Sequence, residues 1–284
     1  MAYIKVKELL RHATDHHYGV AAINVFSYES ACWAVRAAEQ EHVPIIIQLY
    51  PGFDPHIACR HVASFALDMA EKASVPVAVH LDHSASYEIA VAGIRDGFPS
   101  VMIDGSSLPF DENVAVTRKT IEVARIFGVD VEAELGHVGS GSRVEDITDT
   151  SKYTSIEEAV EFVRQTGCDS LAVAVGNAHG VYVQVPHLDL DRIKALRAAL
   201  DIPLVLHGCS DIPDESIQAS VNLGMSKFNI ATEIDRAFYQ SVRRTINMEE
   251  EKGSLFRLMN EIEAPVTEFI RGKLRLLNPN RYRV

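Results

Sequence analysis

Short apolar runs alternate with amphipathic stretches along almost the whole chain. The runs at Val20–Asn24, Pro44–Leu49, Pro76–Leu81, Ser100–Asp104, Val129–Leu135, Ser170–Gly176, Pro203–His207 and Lys227–Ala231 are rich in Val, Ile, Leu and Ala. Near-continuous apolar runs of this length read as parallel strands covered on both faces. Between them, Ser30–Glu41, Ile57–Lys72, Ser86–Arg95, Asp111–Phe127, Ser155–Thr166, Leu188–Leu200, Asp214–Leu223 and Glu233–Arg244 read as helices. Ser155-Ile-Glu-Glu has the shape of a capping box, and acids follow Pro213 in a first turn. Gly97, Gly128, Gly167 and Gly224 stand where helices end.

Eight strand–helix repeats without a linker predict a (β/α)8 TIM barrel of the α/β class, a single domain over residues 1–284 in which 247–284 form a C-terminal helical tail. The stretch Gly136–Tyr153 breaks the rhythm. It is rich in Gly, Ser, Asp and Thr, follows strand five and falls on the catalytic face, so it reads as a mobile lid.

Composition narrows the partners. A net charge of −12 over 284 residues argues against nucleic acid. It leaves anionic small molecules open, because local amides and a metal override the global field. No signal pattern or spanning apolar run stands out, and Cys32, Cys59, Cys168 and Cys209 show no paired spacing. The expectation is a soluble, cytoplasmic protein with free thiols and no membrane partner.

Three runs lead into histidines: His83, His179 and His207. A histidine at the exit of a buried strand lies at the mouth of the sheet, and three imidazoles can close on one divalent metal with a position left open. Each one alone is as well read as a surface or loop histidine, with Asp82 a helix cap. All three together, on strands three, six and seven, favour a metal site. Asp82, beside His83, can then serve in acid–base work.

Gly180 and Gly208 follow two of the histidines and let backbone amides approach a ligand. Gly208-Cys209-Ser210 and Asn229-Ile230-Ala231-Thr232 follow strands seven and eight, where barrels commonly bind phosphate. Thr232 can equally be a helix cap and Ser210 a turn residue. Asp104 and Glu134 end strands four and five, where they could bind metal, orient a histidine or be solvated. Cys209 is not assigned to the metal. No strand-end lysine offers a Schiff base, since Lys227 opens strand eight and so lies at the wrong end.

Taken in order, Ala22-Ile-Asn24, Val79-His-Leu-Asp-His83, Ser100-Val-Met-Ile-Asp104, Val131-Glu-Ala-Glu134-Leu-Gly136, Asp169-Ser-Leu-Ala-Val-Ala, His179-Gly180, Leu204-Val-Leu-His-Gly208 and Asn229-Ile-Ala-Thr232-Glu233 resemble the class II (metal-dependent) ketose-bisphosphate aldolases, which include the fructose- and tagatose-bisphosphate enzymes. The resemblance implies reversible cleavage of a phosphorylated ketose to dihydroxyacetone phosphate and an aldehyde. It implies one zinc per chain on His83, His179 and His207, with Glu134 and Asp104 at alternative metal positions, and it allows a monovalent cation near the phosphate. It implies that Asp82 handles the proton of the aldehyde oxygen. Gly180, Gly208 to Ser210 and Asn229 to Thr232 would hold dihydroxyacetone phosphate, with Asn24 nearby. A homodimer or homotetramer is implied as well.

The departures bear on the substrate. In relatives a lid glutamate moves the carbon-bound proton; here Ser142 falls at that position, and the lid acids are Glu145 and Asp146, with Glu145 the expected substitute. Strand two ends in the bulky Gln48-Leu-Tyr50, and Ser107 stands where relatives often carry histidine. Asn260 or Glu261 falls near the tail arginine that holds a second phosphate, with Arg257 as the nearby candidate. The expected acceptor is therefore an aldehyde without a phosphate. Two other readings compete. A barrel hydrolase is disfavoured because strand one carries no His-x-His, whereas the altered lid favours a non-catalytic accessory subunit that keeps the metal and phosphate sites.

Overall fold

The computed structural model describes residues 3–248 and 254–283. All eight expected strands form: β1 (Val20–Asn24), β2 (Ile45–Leu49), β3 (Val77–Ser84), β4 (Ser100–Ile103), β5 (Asp130–Leu135), β6 (Ser170–Val173), β7 (Leu204–Leu206) and β8 (Met225–Ile230). They are parallel and close in chain order, with β8 pairing back onto β1. The helices are α1 (Val6–His16), α2 (Tyr28–Glu41), α3 (Cys59–Lys72), α4 (Tyr87–Arg95), α5 (Phe110–Phe127), α6 (Val144–Thr148), α7 (Ile156–Thr166), α8 (Leu190–Ala199), α9 (Asp214–Asn222), α10 (Thr232–Met248) and α11 (Leu255–Leu276). This is the (β/α)8 barrel with a C-terminal helix. No described helix is long and apolar enough to cross a membrane.

Local signals set several boundaries. The Ser155 hydroxyl accepts from the Glu158 amide and starts α7, and Gly167 ends it in the left-handed conformation at φ 66°. The α1 helix was not expected from the sequence. Its Val6, Leu9, Leu10 and Ala13 pack on Val20, Ala22, Ile46 and Ala78, so it plugs the N-terminal end of the barrel. In the tail, α11 packs on α2 and α10, while 249–253 and 284 lie outside the described residues.

Along the strands, alternate residues face outward to the helices and inward to the barrel axis. Outward residues such as Ile23, Ile47, Val79, Val131 and Ala133 join the main apolar core. The inward set changes character on the way up. Ala22, Ile46 and Ala78 meet α1 at the bottom. Above them come Asn24, Gln48, His80, Asp82, Glu132, Glu134, Lys227 and Asn229, all buried. A barrel axis that turns polar toward its C-terminal mouth is where a site can be built.

Candidate active site

The site begins with an irregularity in β3. Its pairing with β4 shifts register between Leu81 and Ser84, and His83 takes φ 41°, in the left-handed region that side chains with a Cβ seldom adopt. A bulge here re-aims consecutive side chains. Both Asp82 and His83 thus reach the barrel mouth, although strand alternation would send them to opposite faces.

His179 and His207 come from two loops pinned together. Asn177 Nδ2 donates to the His207 carbonyl at 3.1 Å, and the Tyr182 hydroxyl donates to the Gly208 carbonyl at 2.9 Å. Gly208 has φ 60°, and a Cβ there would collide with the Ala178 carbonyl, so this glycine serves loop contact. Gly180 differs: it has φ 85° and nothing within 4 Å of where a Cβ would sit, which leaves open space over the cavity it lines.

These elements bring the imidazoles together. Ring centroids of His83 and His207 are 4.5 Å apart, His83 and His179 4.8 Å, and His179 and His207 5.8 Å. One ligand atom from each of His83, Glu134, His179 and His207 lies within 4.8 Å of the others. His207 Nδ1 and Glu134 Oε2 are 2.9 Å apart, yet each is buried without a properly directed hydrogen bond. Burial disfavours a charge on His207, but Glu132 and Glu134 outweigh it and push its pKa up to about 10. The donor set of three imidazoles and a carboxylate fits a divalent cation.

A carboxylate orients the His83 ring. Asp104 Oδ2 lies 3.1 Å from His83 Nδ1, and the Ser106 amide and hydroxyl donate to Asp104 Oδ1 at 3.1 and 2.7 Å. That leaves His83 Nε2 for the cluster. Burial works against the charged ring of His83, but Asp82 and Asp104 outweigh it and raise its pKa. His179 goes the other way: burial, then His83 and His207, push it down to about 3.

Asp82 is fixed by two amides. Asn24 Nδ2 donates to Oδ2 and Asn229 Nδ2 to Oδ1, each at 2.9 Å, while Gln48 Nε2 donates to Asn24 Oδ1 at 2.8 Å. Burial alone would raise the Asp82 pKa, but His83, Lys227 and His207 outweigh it and hold the carboxyl below its usual range. Asn24 and Asn229 thus act first on Asp82.

Among the phosphate candidates, Ala231 and Thr232 line the same cavity as Asn24, Asp82, His83, Asp104, His179 and Gly180. Ile230 is buried at the end of β8. The Ser210 hydroxyl accepts from the Glu233 amide at 3.3 Å and so caps the start of α10. Cys209 is turned inward: its thiol donates to the Leu206 carbonyl at 3.0 Å and its amide to the Asn229 carbonyl at 3.3 Å.

The lid is anchored rather than loose. The Ser140 amide donates to Asp146 Oδ2 at 2.9 Å, and Lys152 Nζ donates to Oδ1 at 2.9 Å. The Gly139 carbonyl accepts from the His179 amide at 2.8 Å, and the Gly141 amide donates to the His179 carbonyl at 2.7 Å. Glu145, the expected base, is exposed on α6, and Val138 is the lid residue that lines the cavity. Asp146→Asn is expected to speed hydrogen–deuterium exchange across 140–143 severalfold, because the ion pair to Lys152 is lost. Unchanged protection there would show that Asp146 is not the anchor.

His80 and Glu132 escape the sequence reading, and Gln48 and Lys227 enter it without their contacts at the site. Lys227 does not stand idle at the wrong end of β8; its ammonium is buried inside the barrel, 2.8 Å from Glu132 Oε2. The missed signal was charge inside strands that otherwise read as fully buried. Such charges are seldom found unpaired, so Glu132 in one run and Lys227 in another foretell each other.

The cavity that His83 and His179 line has a volume of about 410 Å³. Tyr50, Phe53 and Asp235 also line it, and neither Lys nor Arg is among its described lining residues.

The sequence profile described as fructose-bisphosphate aldolase class-II matches residues 4–281. YdjI of Escherichia coli K12 is 38% identical over 264 residues, which cover 93% of each chain. The crystal structure of that aldolase superposes with a TM-score of 0.87 at 35% identity over 97% of both chains. A candidate fructose-1,6-biphosphate aldolase from Coccidioides immitis superposes with a TM-score of 0.84 at 28% identity over 96% of both chains.

Proposed function

Because the chain belongs to the class II fructose-bisphosphate aldolase family, a family of carbon–carbon lyases, we propose that it cleaves a phosphorylated ketose, reversibly and with one zinc ion per chain, into dihydroxyacetone phosphate and an aldehyde without a phosphate. The convergence of His83, Glu134, His179 and His207 carries the metal part of this reading. Zinc fits the nitrogen-rich donors, held by His83, His179 and His207 with Glu134 at the alternative position.

Aldol cleavage leaves an electron pair on the donor fragment, and a divalent ion held by His83, His179 and His207 would supply Lewis-acid stabilisation of that charge. The protein's own share is positioning and proton transfer. Asp82, ionised and aimed by Asn24 and Asn229, takes the proton from the hydroxyl whose carbon becomes the aldehyde and returns it in the synthetic direction. Gly180 leaves room for the donor, and the loop at 208–210 with the N-terminus of α10 presents backbone to the phosphate. We assign the carbon-bound proton to a lid acid, with Glu145 the candidate. The altered lid is the ground for the accessory-subunit reading, and membership in a family of lyases weighs against it.

The acceptor half rests on charge. A second phosphate would meet Tyr50, Phe53 and the Asp235 carboxylate, with no Lys or Arg among the described lining residues. Arg257, the tail candidate, contacts Glu261 on its own helix at 2.7 Å. We place the protein in the cytoplasm as a homodimer or homotetramer; all four cysteines are free, and Leu255 and Phe256 offer exposed apolar surface at the start of α11. Kinetics with dihydroxyacetone phosphate and a panel of plain and phosphorylated aldehydes test the substrate. A higher kcat/KM for plain aldehydes is expected, and a strong preference for glyceraldehyde 3-phosphate would overturn the acceptor assignment.

A further inference from the structure

We infer that Glu132 and Lys227 form a buried positioning pair that holds His207 with Nδ1 turned toward the metal position. This rests on the metal reading above and adds two residues to it. The three side chains form a chain through the barrel axis. Lys227 Nζ lies 2.8 and 3.0 Å from the two Glu132 oxygens, and Glu132 Oε1 accepts from His207 Nε2 at 3.0 Å. On the other edge of the ring, Nδ1 faces Glu134 and the cluster. Donation from Nε2 to a carboxylate fixes the tautomer and raises the basicity of the opposite nitrogen, the one a metal takes.

The lysine follows from where this carboxylate lies. Glu132 is fully enclosed, and an anion there without a partner is costly. Lys227 supplies that partner, with its ammonium 2.8 and 3.0 Å from the two oxygens. The other nearby base, His80, stands farther off, 3.9 Å from Glu132, and its Nδ1 is engaged by the Ser100 hydroxyl at 2.8 Å. Asp104 does the same service for His83 without a lysine, because it lies nearer the surface and draws on Ser106. Core stability alone does not account for the pair, since buried ion pairs often contribute little against apolar residues of similar size.

The test removes both charges together, so that neither is left stranded: Glu132→Gln with Lys227→Met. Zinc affinity is measured by chelator competition and ligand geometry by the visible spectrum of the cobalt-substituted protein, with the melting temperature of the metal-free protein as control. The double variant is expected to fold, to bind zinc about 10–100-fold more weakly and to show an altered cobalt spectrum. Wild-type affinity and spectrum in a folded double variant would overturn the inference and leave the metal reading intact. Absence of zinc from the wild-type protein would instead remove the metal reading itself. Should the double variant not fold, nitrogen-15 NMR of zinc-loaded wild-type protein decides: a proton on His207 Nε2 supports the pair's role, and a proton on Nδ1 contradicts it.

Discussion

His179→Ala is expected to lose bound zinc and aldol turnover together while the barrel stays folded. Among the three histidines this one isolates the metal most cleanly. It is only partly buried and stands at the cavity wall. The His179 backbone still pairs with the lid through Gly139 and Gly141 in the variant. Loss of Lewis-acid stabilisation is worth several kcal/mol, or roughly a thousandfold or more in rate. Metal analysis and kcat on the purified variant measure the effect; near-wild-type turnover with full zinc would contradict the ligand assignment. His207→Ala should also lose zinc but at a larger structural cost, because His207 is fully buried between Glu132 and Glu134.

Asp82→Ala separates proton transfer from metal binding. Asp82 Oδ1 is 4.0 Å from His83 Nε2 and lies outside the four-residue cluster, so zinc should stay at one per chain. General acid–base catalysis is typically worth about a hundred- to ten-thousandfold, and kcat for cleavage should fall by that order. The reading also predicts a split between half-reactions. Exchange of the carbon-bound proton of dihydroxyacetone phosphate with solvent does not involve the aldehyde oxygen, so it should survive far better than cleavage. Equal losses in both would move Asp82 away from the assigned step.

Much of the architecture could be read from the chain because fully enclosed strands carry a strong signal. The runs at 20–24, 44–49 and 129–135 appear as β1, β2 and β5 with shifts of a residue or so. Histidines at strand exits pointed to the mouth of the barrel, and all three arrive there. What escaped notice depends on contacts that sequence spacing does not record. The bulge in β3 carries the strand past Leu81 to Ser84 and turns His83 inward. α1 lies outside the strand–helix rhythm, and its role as a plug appears only when its apolar face meets Ala22, Ile46 and Ala78. Lys227 was judged by its place along a strand, although the decisive fact is what lies across the barrel from it.

Motif position associates Asn24 and Asn229 with the substrate; what it does not show is that their amides also hold the two oxygens of Asp82. Cys209 sits in the right loop with both its thiol and its amide engaged by backbone carbonyls.

Anomalous diffraction at the zinc absorption edge, from crystals of the zinc-loaded protein, tests the central claim most directly. The account predicts a single strong peak per chain, bonded to nitrogens of His83, His179 and His207 at about 2.0–2.1 Å. A peak elsewhere, or none between those three rings at full zinc loading, would contradict it.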